Sequence, residues 1–257
     1  DASFGAFGPG VEYVAVVFMI LGALPFVRYV QLTAGTAEPL WRDSQIRVFL
    51  LTAVSIVALI TLYRVVQTEV ATEAAIRKVL FNTVSLITGT GYASEDYMGW
   101  GAFPVAVLFF TGLIGGCAGS TACSIKVFRY QLLFASIRAQ LQKVQTPHGM
   151  FTPRYQGRPV DDEVLNSVMA FFVFFIVTMG LVAVLLAMTG LDFVTSLSGA
   201  AAALANIGPG FGDQIGPAGN FAGLNDTAKW VLSFTMLIGR LELMAVYAIL
   251  TVQFWRA

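Results

Sequence analysis

Thr88-Gly89-Thr90-Gly91-Tyr92 and Asn206-Ile207-Gly208-Pro209-Gly210-Phe211-Gly212 are two glycine-rich stretches, each lying between apolar runs long enough to cross a membrane. Lipid cannot hydrogen-bond backbone N–H and C=O groups. Irregular backbone at membrane depth is therefore tolerated only where protein buries it or where it lines a watery cavity. Carbonyl oxygens lining a cavity can replace the hydration shell of a permeating cation. Glycine suits that task, because a Cβ hinders the extended or left-handed backbone that aims carbonyls inward. Both stretches read as ion-lining loops.

Composition supports the same reading. Of the 257 residues, 57% are hydrophobic and 12% charged, and the mean hydropathy is +0.75. Soluble domains average about 45–50% apolar and about 25% charged residues, so an all-α integral membrane protein is expected. A formal net charge of zero argues against nucleic acid as a partner. Cys117 and Cys123 fit no common zinc spacing and are expected as free thiols, and the one histidine, His148, leaves no multi-His metal site. The chain offers no adjacent nucleophile–base pair and no Gly-x-x-x-x-Gly-Lys loop, so neither enzyme chemistry nor a covalent cofactor is expected.

A helix needs roughly 20 mainly apolar residues to cross the hydrocarbon core. Residues 11–30, 48–66, 164–188 and 228–251 qualify or nearly so. Residues 103–137 form a longer run, interrupted at Gly115-Gly116-Cys117-Ala118-Gly119-Ser120. Two shorter stretches, about 71–87 and 193–205, stop at the glycine-rich loops. They read as half-helices whose C-terminal dipole ends face the place where a cation would sit. Basic residues set the orientation. Arg28, Arg42, Arg47, the cluster from Lys126 to Arg158, and Arg256 mark the cytoplasmic side. Glu69, Glu73, Glu95, Asp96, Asp192, Asp213 and Asp226 face the other side, as a cation-concentrating mouth or as solvated loop residues.

The order helix, half-helix, loop, helix occurs twice. Phe110-Thr111-x-Leu113-Ile114-Gly115 matches Phe234-Thr235-x-Leu237-Ile238-Gly239 after the two loops, and Met19-Ile20-Leu21-Gly22 shares the core of that signature. The repeating unit is outer helix, pore helix, filter loop and inner helix. Residues 1–47 then hold the inner helix of a preceding unit, whose other parts would precede residue 1, plus a cytoplasmic link. Residues 48–138 form one full unit with a broken inner helix, 139–163 a cytoplasmic linker, and 164–257 the next full unit.

Phe81 to Tyr92, Gly115 to Thr121 with Ile125-Lys126-Val127, Asn206 to Gly210, and Gly239-Arg240-Leu241-Glu242 with Phe254-Trp255-Arg256 together resemble the Trk/Ktr/HKT superfamily of potassium transporters, most closely its TrkH-type membrane subunit. Thr90-Gly91-Tyr92 is also close to the Val-Gly-Tyr core of potassium-channel filters. The resemblance runs over essentially the whole chain. It departs at Ala122-Cys123-Ser124, where the family usually has glycines, and at Gly89, where it often has threonine. It implies four such units, pseudo-fourfold around one pore, in a multi-pass protein of the bacterial inner membrane. Selective potassium uptake follows from it, with potassium as substrate, membrane lipid as surroundings, TrkA-type nucleotide-binding regulatory subunits on the cytoplasmic face, and a homodimer of the full-length protein. A half-length subunit acting as a dimer, or a secondary carrier with broken helices, are the alternatives.

On this reading Gly89, Thr90, Gly91, Tyr92, Asn206, Ile207, Gly208 and Pro209 form the potassium-binding filter, with the metal ion nearest Thr90, Gly91, Ile207 and Gly208. Gly115, Gly116, Gly119, Ser120 and Thr121 form an intramembrane gating loop, or else a helix kink with close packing. Arg240 is expected in the last span, where a charge costs about 2.5–3.5 kcal/mol and needs a partner. Carbonyls freed by the broken helix are expected to supply it, whether Arg240 opposes cation passage or only forms a structural pair. Lys126 and Arg129 are expected at the cytoplasmic end of the broken helix, where cations complement the dipole.

Overall fold

The computed structural model describes residues 3–68, 72–146, 149–241, 243–252 and 254–256. Glu69, His148 and Glu242 lie outside the described residues. Among the described residues eleven α-helices follow in order: α1 (Pro9–Ala23), α2 (Phe26–Thr33), α3 (Glu38–Arg42), α4 (Ser44–Thr68), α5 (Glu73–Ile87), α6 (Ala102–Leu113), α7 (Val127–Gln145), α8 (Asp162–Met188), α9 (Phe193–Ala205), α10 (Asp226–Arg240) and α11 (Leu243–Ile249). Two short strands, β1 (Arg154–Tyr155) and β2 (Arg158–Pro159), form an antiparallel hairpin.

Ser44–Gln67 and Asp162–Met188 are long and apolar enough to cross a membrane, and two bent helix pairs bring the number of such spans to four. The exposed positions of α1, α4 and α8 include many apolar side chains, among them Val14, Phe18, Leu51, Leu62, Val173, Ile176 and Leu181. The two half-helices expected before the loops are α5 and α9, and they are the buried centre. From Thr195 to Ala205 nearly every residue of α9 is buried, with Gly199 and five alanines letting α8 and α10 approach closely.

Helix α5 packs against α4, α6 and α1, and helix α9 against α8, α10 and α6. Each of the two half-helices thus meets the helix before it, the helix after it and one earlier helix. Both start from a cap. The Thr72 side chain accepts from the Ala75 amide at 3.2 Å, and the Asp192 side chain accepts from the Thr195 amide at 3.1 Å. Its hydrogen bonds with Thr195 hold the Asp192 carboxyl below the usual carboxylate range.

The inner helices differ from straight spans. Residues 11–30 are expected as one helix, but α1 stops at Ala23 and α2 leaves at 94°. Pro25 has no N–H to donate and its ring disfavours helical backbone before it, so Leu24 is extended. The run 228–251 likewise breaks after Arg240, with α10 and α11 bent by 106°. In the third case α6 ends at Leu113 and α7 begins only at Val127. All three breaks fall within two residues of the repeated Ile/Leu-Gly signature at Gly22, Gly115 and Gly239. Helix α7 also runs on to Gln145, into the segment expected as a turn-rich linker.

Lys126 and Arg129 are corrected by the same geometry. They stand at the start of α7, the end where the helix dipole favours anions. Lys126 instead donates its ammonium to the Ala122 carbonyl, and the Arg129 guanidinium lies 3.8 Å from the centre of the Phe171 ring.

The orientation is testable by labelling the full-length protein in cells with a membrane-impermeant maleimide. A cysteine replacing exposed Gly99 should react on intact cells, and one replacing Met150 only after permeabilisation. Labelling of both from the same side would contradict this topology.

Candidate functional site

The two glycine-rich loops touch. A Cβ built on Gly91 would overlap the carbonyl oxygen of Ile207 and come within 3.0 Å of Pro209 Cδ. One on Gly208 would lie 3.6 Å from Gly91 Cα. Glycine at 91 is therefore demanded twice, by this contact and by its φ of +78°.

The loops share one backbone design at corresponding places. Gly89 and Asn206, each just past its pore helix, are left-handed, with φ of +71° and +53°. Thr90 donates to the Ser85 carbonyl at 2.9 Å, and Ile207 donates to the Ala202 carbonyl at 3.0 Å. Gly91 and Gly208 both have positive φ. Three residues further on, the pore helix holds the outgoing chain by a side chain. Asn82 bonds Ser94 through its amide (Oδ1 to the Ser94 N–H at 3.2 Å, Nδ2 to Oγ at 3.0 Å). Ser198 Oγ bonds both the N–H and the C=O of Phe211, at 2.9 and 3.1 Å. Asn206 Nδ2 also donates to the Met236 carbonyl at 3.1 Å, linking its loop to α10. Tyr92 is exposed, with its ring 4.9 Å from that of Phe4.

Beneath the loops lies the segment between α6 and α7. Ile114 and Ile125 form a parallel bridge, with Gly115 donating to the Ile125 carbonyl at 2.8 Å and Val127 to the Gly116 carbonyl at 3.1 Å. Carbonyls freed where α1 breaks are taken up by this segment: Cys117 N–H reaches Ala23 at 3.0 Å, and Thr121 reaches Gly22 through its amide and its hydroxyl. Gly119 accepts from Phe26 at 3.0 Å, Ser120 Oγ donates to the Cys117 carbonyl at 2.6 Å, and Ala118 N–H donates to Gln45. Ser124 donates to the last carbonyl of α9, Ala205, at 3.0 Å, and a Cβ on Gly89 would meet the Cys123 amide nitrogen at 3.2 Å. The segment therefore touches the inner ends of both pore loops.

Arg240 ends α10 instead of lying within a straight span, and its partner is a side chain. Nη1 lies 2.9 Å from the Cys123 sulfur. Gly239 must be small here, since a Cβ would overlap the Leu204 carbonyl at the end of α9. Cys123, Arg240, Lys126, Ser120 and Thr121 help line a cavity of about 220 Å³. Both cysteines are free thiols.

The acidic mouth is largely spoken for. Glu73 bonds Tyr13 and Arg77, Glu95 pairs with Arg64 at 3.3 Å, Asp96 and Asp192 cap helical turns, and Asp226 lies 3.5 Å from Lys229. Sequence reasoning missed Glu12. It is a fully buried acid in α1, bonded to Arg77 and Lys78 of α5. A single carboxylate inside an apolar run was the signal available.

Residues 1–254 match the model of the TrkH family, described as cation transport protein. The Trk system potassium uptake protein TrkI of Halomonas elongata is 45% identical over 258 residues, which is all of this chain and 52% of that protein. The Trk system potassium uptake protein TrkH of Vibrio parahaemolyticus is 33% identical over 268 residues, covering 53% of its length. The crystal structure of the potassium transporter TrkH from Vibrio parahaemolyticus superposes with a TM-score of 0.92 at 31% identity, over 99% of this chain and 55% of that one. The chain thus spans about half the length of these relatives.

Ser198→Ala should cost the protein about 1–3 kcal/mol, because it strands a buried N–H and C=O of Phe211. Thermal unfolding of the full-length protein in detergent checks this, and an unchanged midpoint would show that the side chain does not hold the loop.

Proposed function

The chain belongs to the TrkH family of cation transport proteins, and from that premise we propose that it supplies part of a potassium uptake pathway across the bacterial inner membrane. The observation that carries the reading is the contact of Gly91 with the Ile207 carbonyl, at the C-terminal ends of two buried half-helices. Carbonyls of Thr90, Gly91, Ile207 and Gly208 replace the water around potassium, with Gly89, Tyr92, Asn206 and Pro209 completing the two loops. The negative ends of the α5 and α9 dipoles favour a cation at that point. Two further units of the whole protein complete the ring.

Below the filter, the segment from Gly115 to Ser124 is the gate. Its hydrogen bonds to Gly22, Ala23 and Ala205 hold it across the path, and opening must exchange those partners. Arg240 adds a positive charge beside the segment and opposes a cation in the resting state. Its contact with Cys123 couples α10 to the gate. Residues 1–47, 48–138, 139–163 and 164–257 act as preceding inner helix with link, third pore unit, cytoplasmic linker and fourth pore unit. The cytoplasmic face docks TrkA-type regulatory subunits, and the full-length protein works as a homodimer.

The test is rubidium uptake into proteoliposomes holding the full-length protein, with sodium as competitor. Wild type should take up rubidium in preference to sodium. Arg240→Ala should raise unstimulated uptake by up to tenfold, the equivalent of about 1.4 kcal/mol removed from the barrier. A folded Arg240→Ala protein with unchanged or slower uptake would reduce Arg240 to a structural role.

Gly91→Ser should lower the rubidium-to-sodium ratio in the same assay. An unaltered ratio would remove the first loop from the filter.

A further inference from the structure

Glu12 belongs to neither the loops nor the gate, yet its side chain is 0% exposed. Arg77 Nη1 donates to its Oε2, and Lys78 Nζ donates to its Oε1 at 2.7 Å. Both cations lie near the start of α5. Arg77 Nε also donates to Glu73 at 2.9 Å, and Glu73 accepts from the Tyr13 hydroxyl of α1 at 2.8 Å. Lys78 Nζ further donates to the Ser94 carbonyl at 2.8 Å. Ser94 is the residue that Asn82 holds just beyond the first loop. One buried carboxylate therefore reaches, through Lys78, the backbone that leaves Gly91.

The second loop is braced differently. Where α6 meets it, the rings of Phe109 and Tyr97 pack 5.6 and 5.7 Å from Phe211, and rings take the place that charges hold at the first loop. A buried ion cluster is weak evidence for stability, because apolar groups of similar volume often serve as well. The second loop's apolar bracing makes the same point within one molecule. Glu12 stands in the first turn of α1, where an acid already complements the helix dipole without two buried cations.

We propose that Glu12 is a positioning residue for the first filter loop. Its carboxylate holds Lys78 where the ammonium can bond Ser94, and so sets the level of the Gly91 carbonyl against that of Ile207. It also neutralises Lys78 and shares with Glu73 the compensation of Arg77 near the start of α5. The inference rests on the transport reading above.

The experiment uses full-length protein in proteoliposomes and compares rubidium with sodium uptake in wild type, Glu12→Gln, Glu12→Asp and Lys78→Met, with thermal unfolding measured alongside. Glu12→Gln should lower the rubidium-to-sodium ratio about tenfold, while Glu12→Asp, which keeps the charge, should stay within about threefold of wild type. Lys78→Met leaves the Glu12–Arg77 pair and removes the Lys78 bonds to Glu12 and to Ser94. It should lower the ratio as well, and it serves as the deciding variant if Glu12→Gln does not fold. A wild-type ratio in either folded variant overturns the proposal, whatever the melting temperature does. Wild-type protein that moves no rubidium would instead overturn the transport reading, and this inference with it.

Discussion

Backbone polar groups in a bilayer must find partners within the protein, and the rest of this structure follows from how two short helices meet that demand. Helices α5 and α9, of 15 and 13 residues, are too short to cross the apolar layer. Their last turns fold back through Gly89 and Asn206, and the amides of Thr90 and Ile207 close onto helix carbonyls. On the function proposed above, the loops' own carbonyls line the space between them, which longer helices would have filled. The outer helices α4 and α8 shield the arrangement from lipid, and the polar side chains Asn82 and Ser198 stop the outgoing strands from drifting.

The breaks in the inner helices obey the same rule. Interrupting a helix at membrane depth frees carbonyls, and here they have defined takers. Gly22 and Ala23, freed before Pro25, accept from the segment between α6 and α7. That segment in turn gives its Ser124 amide to the end of α9 and its Cys123 sulfur to Arg240. Helices α1, α9 and α10 are thereby joined to the segment by bonds of ordinary strength, each contributing about 0.5–1.5 kcal/mol net. Such a junction is firm enough to hold one arrangement and weak enough to be exchanged for another.

Much of this was legible in the chain itself. Apolar length gave the spans, and glycine clustering marked both loops and the interrupted helix. The signature at Gly22, Gly115 and Gly239 falls within two residues of the three helix breaks. What was hidden depends on three-dimensional contact. Pro25 and the turn after Arg240 sit in runs whose composition alone reads as continuous helix. Lys126 and Arg129 were assigned to the wrong end of a helix because the restart at Val127 depends on the bridge between Ile114 and Ile125. Glu12 could be marked as an isolated acid, but its partners, Arg77 and Lys78, lie far along the chain and look like ordinary loop-side cations. The contact of Arg240 with Cys123 pairs two residues that no local pattern connects.

Anomalous scattering from crystals of the full-length protein grown in rubidium or thallium salts tests the central claim most directly. We expect an ion on the axis between the two loops, within about 3 Å of the carbonyls of residues 90–91 and 207–208, the distance at which such oxygens replace a hydration shell. Well-ordered loops with no ion between them, and the ion instead bound by side chains elsewhere, would contradict it.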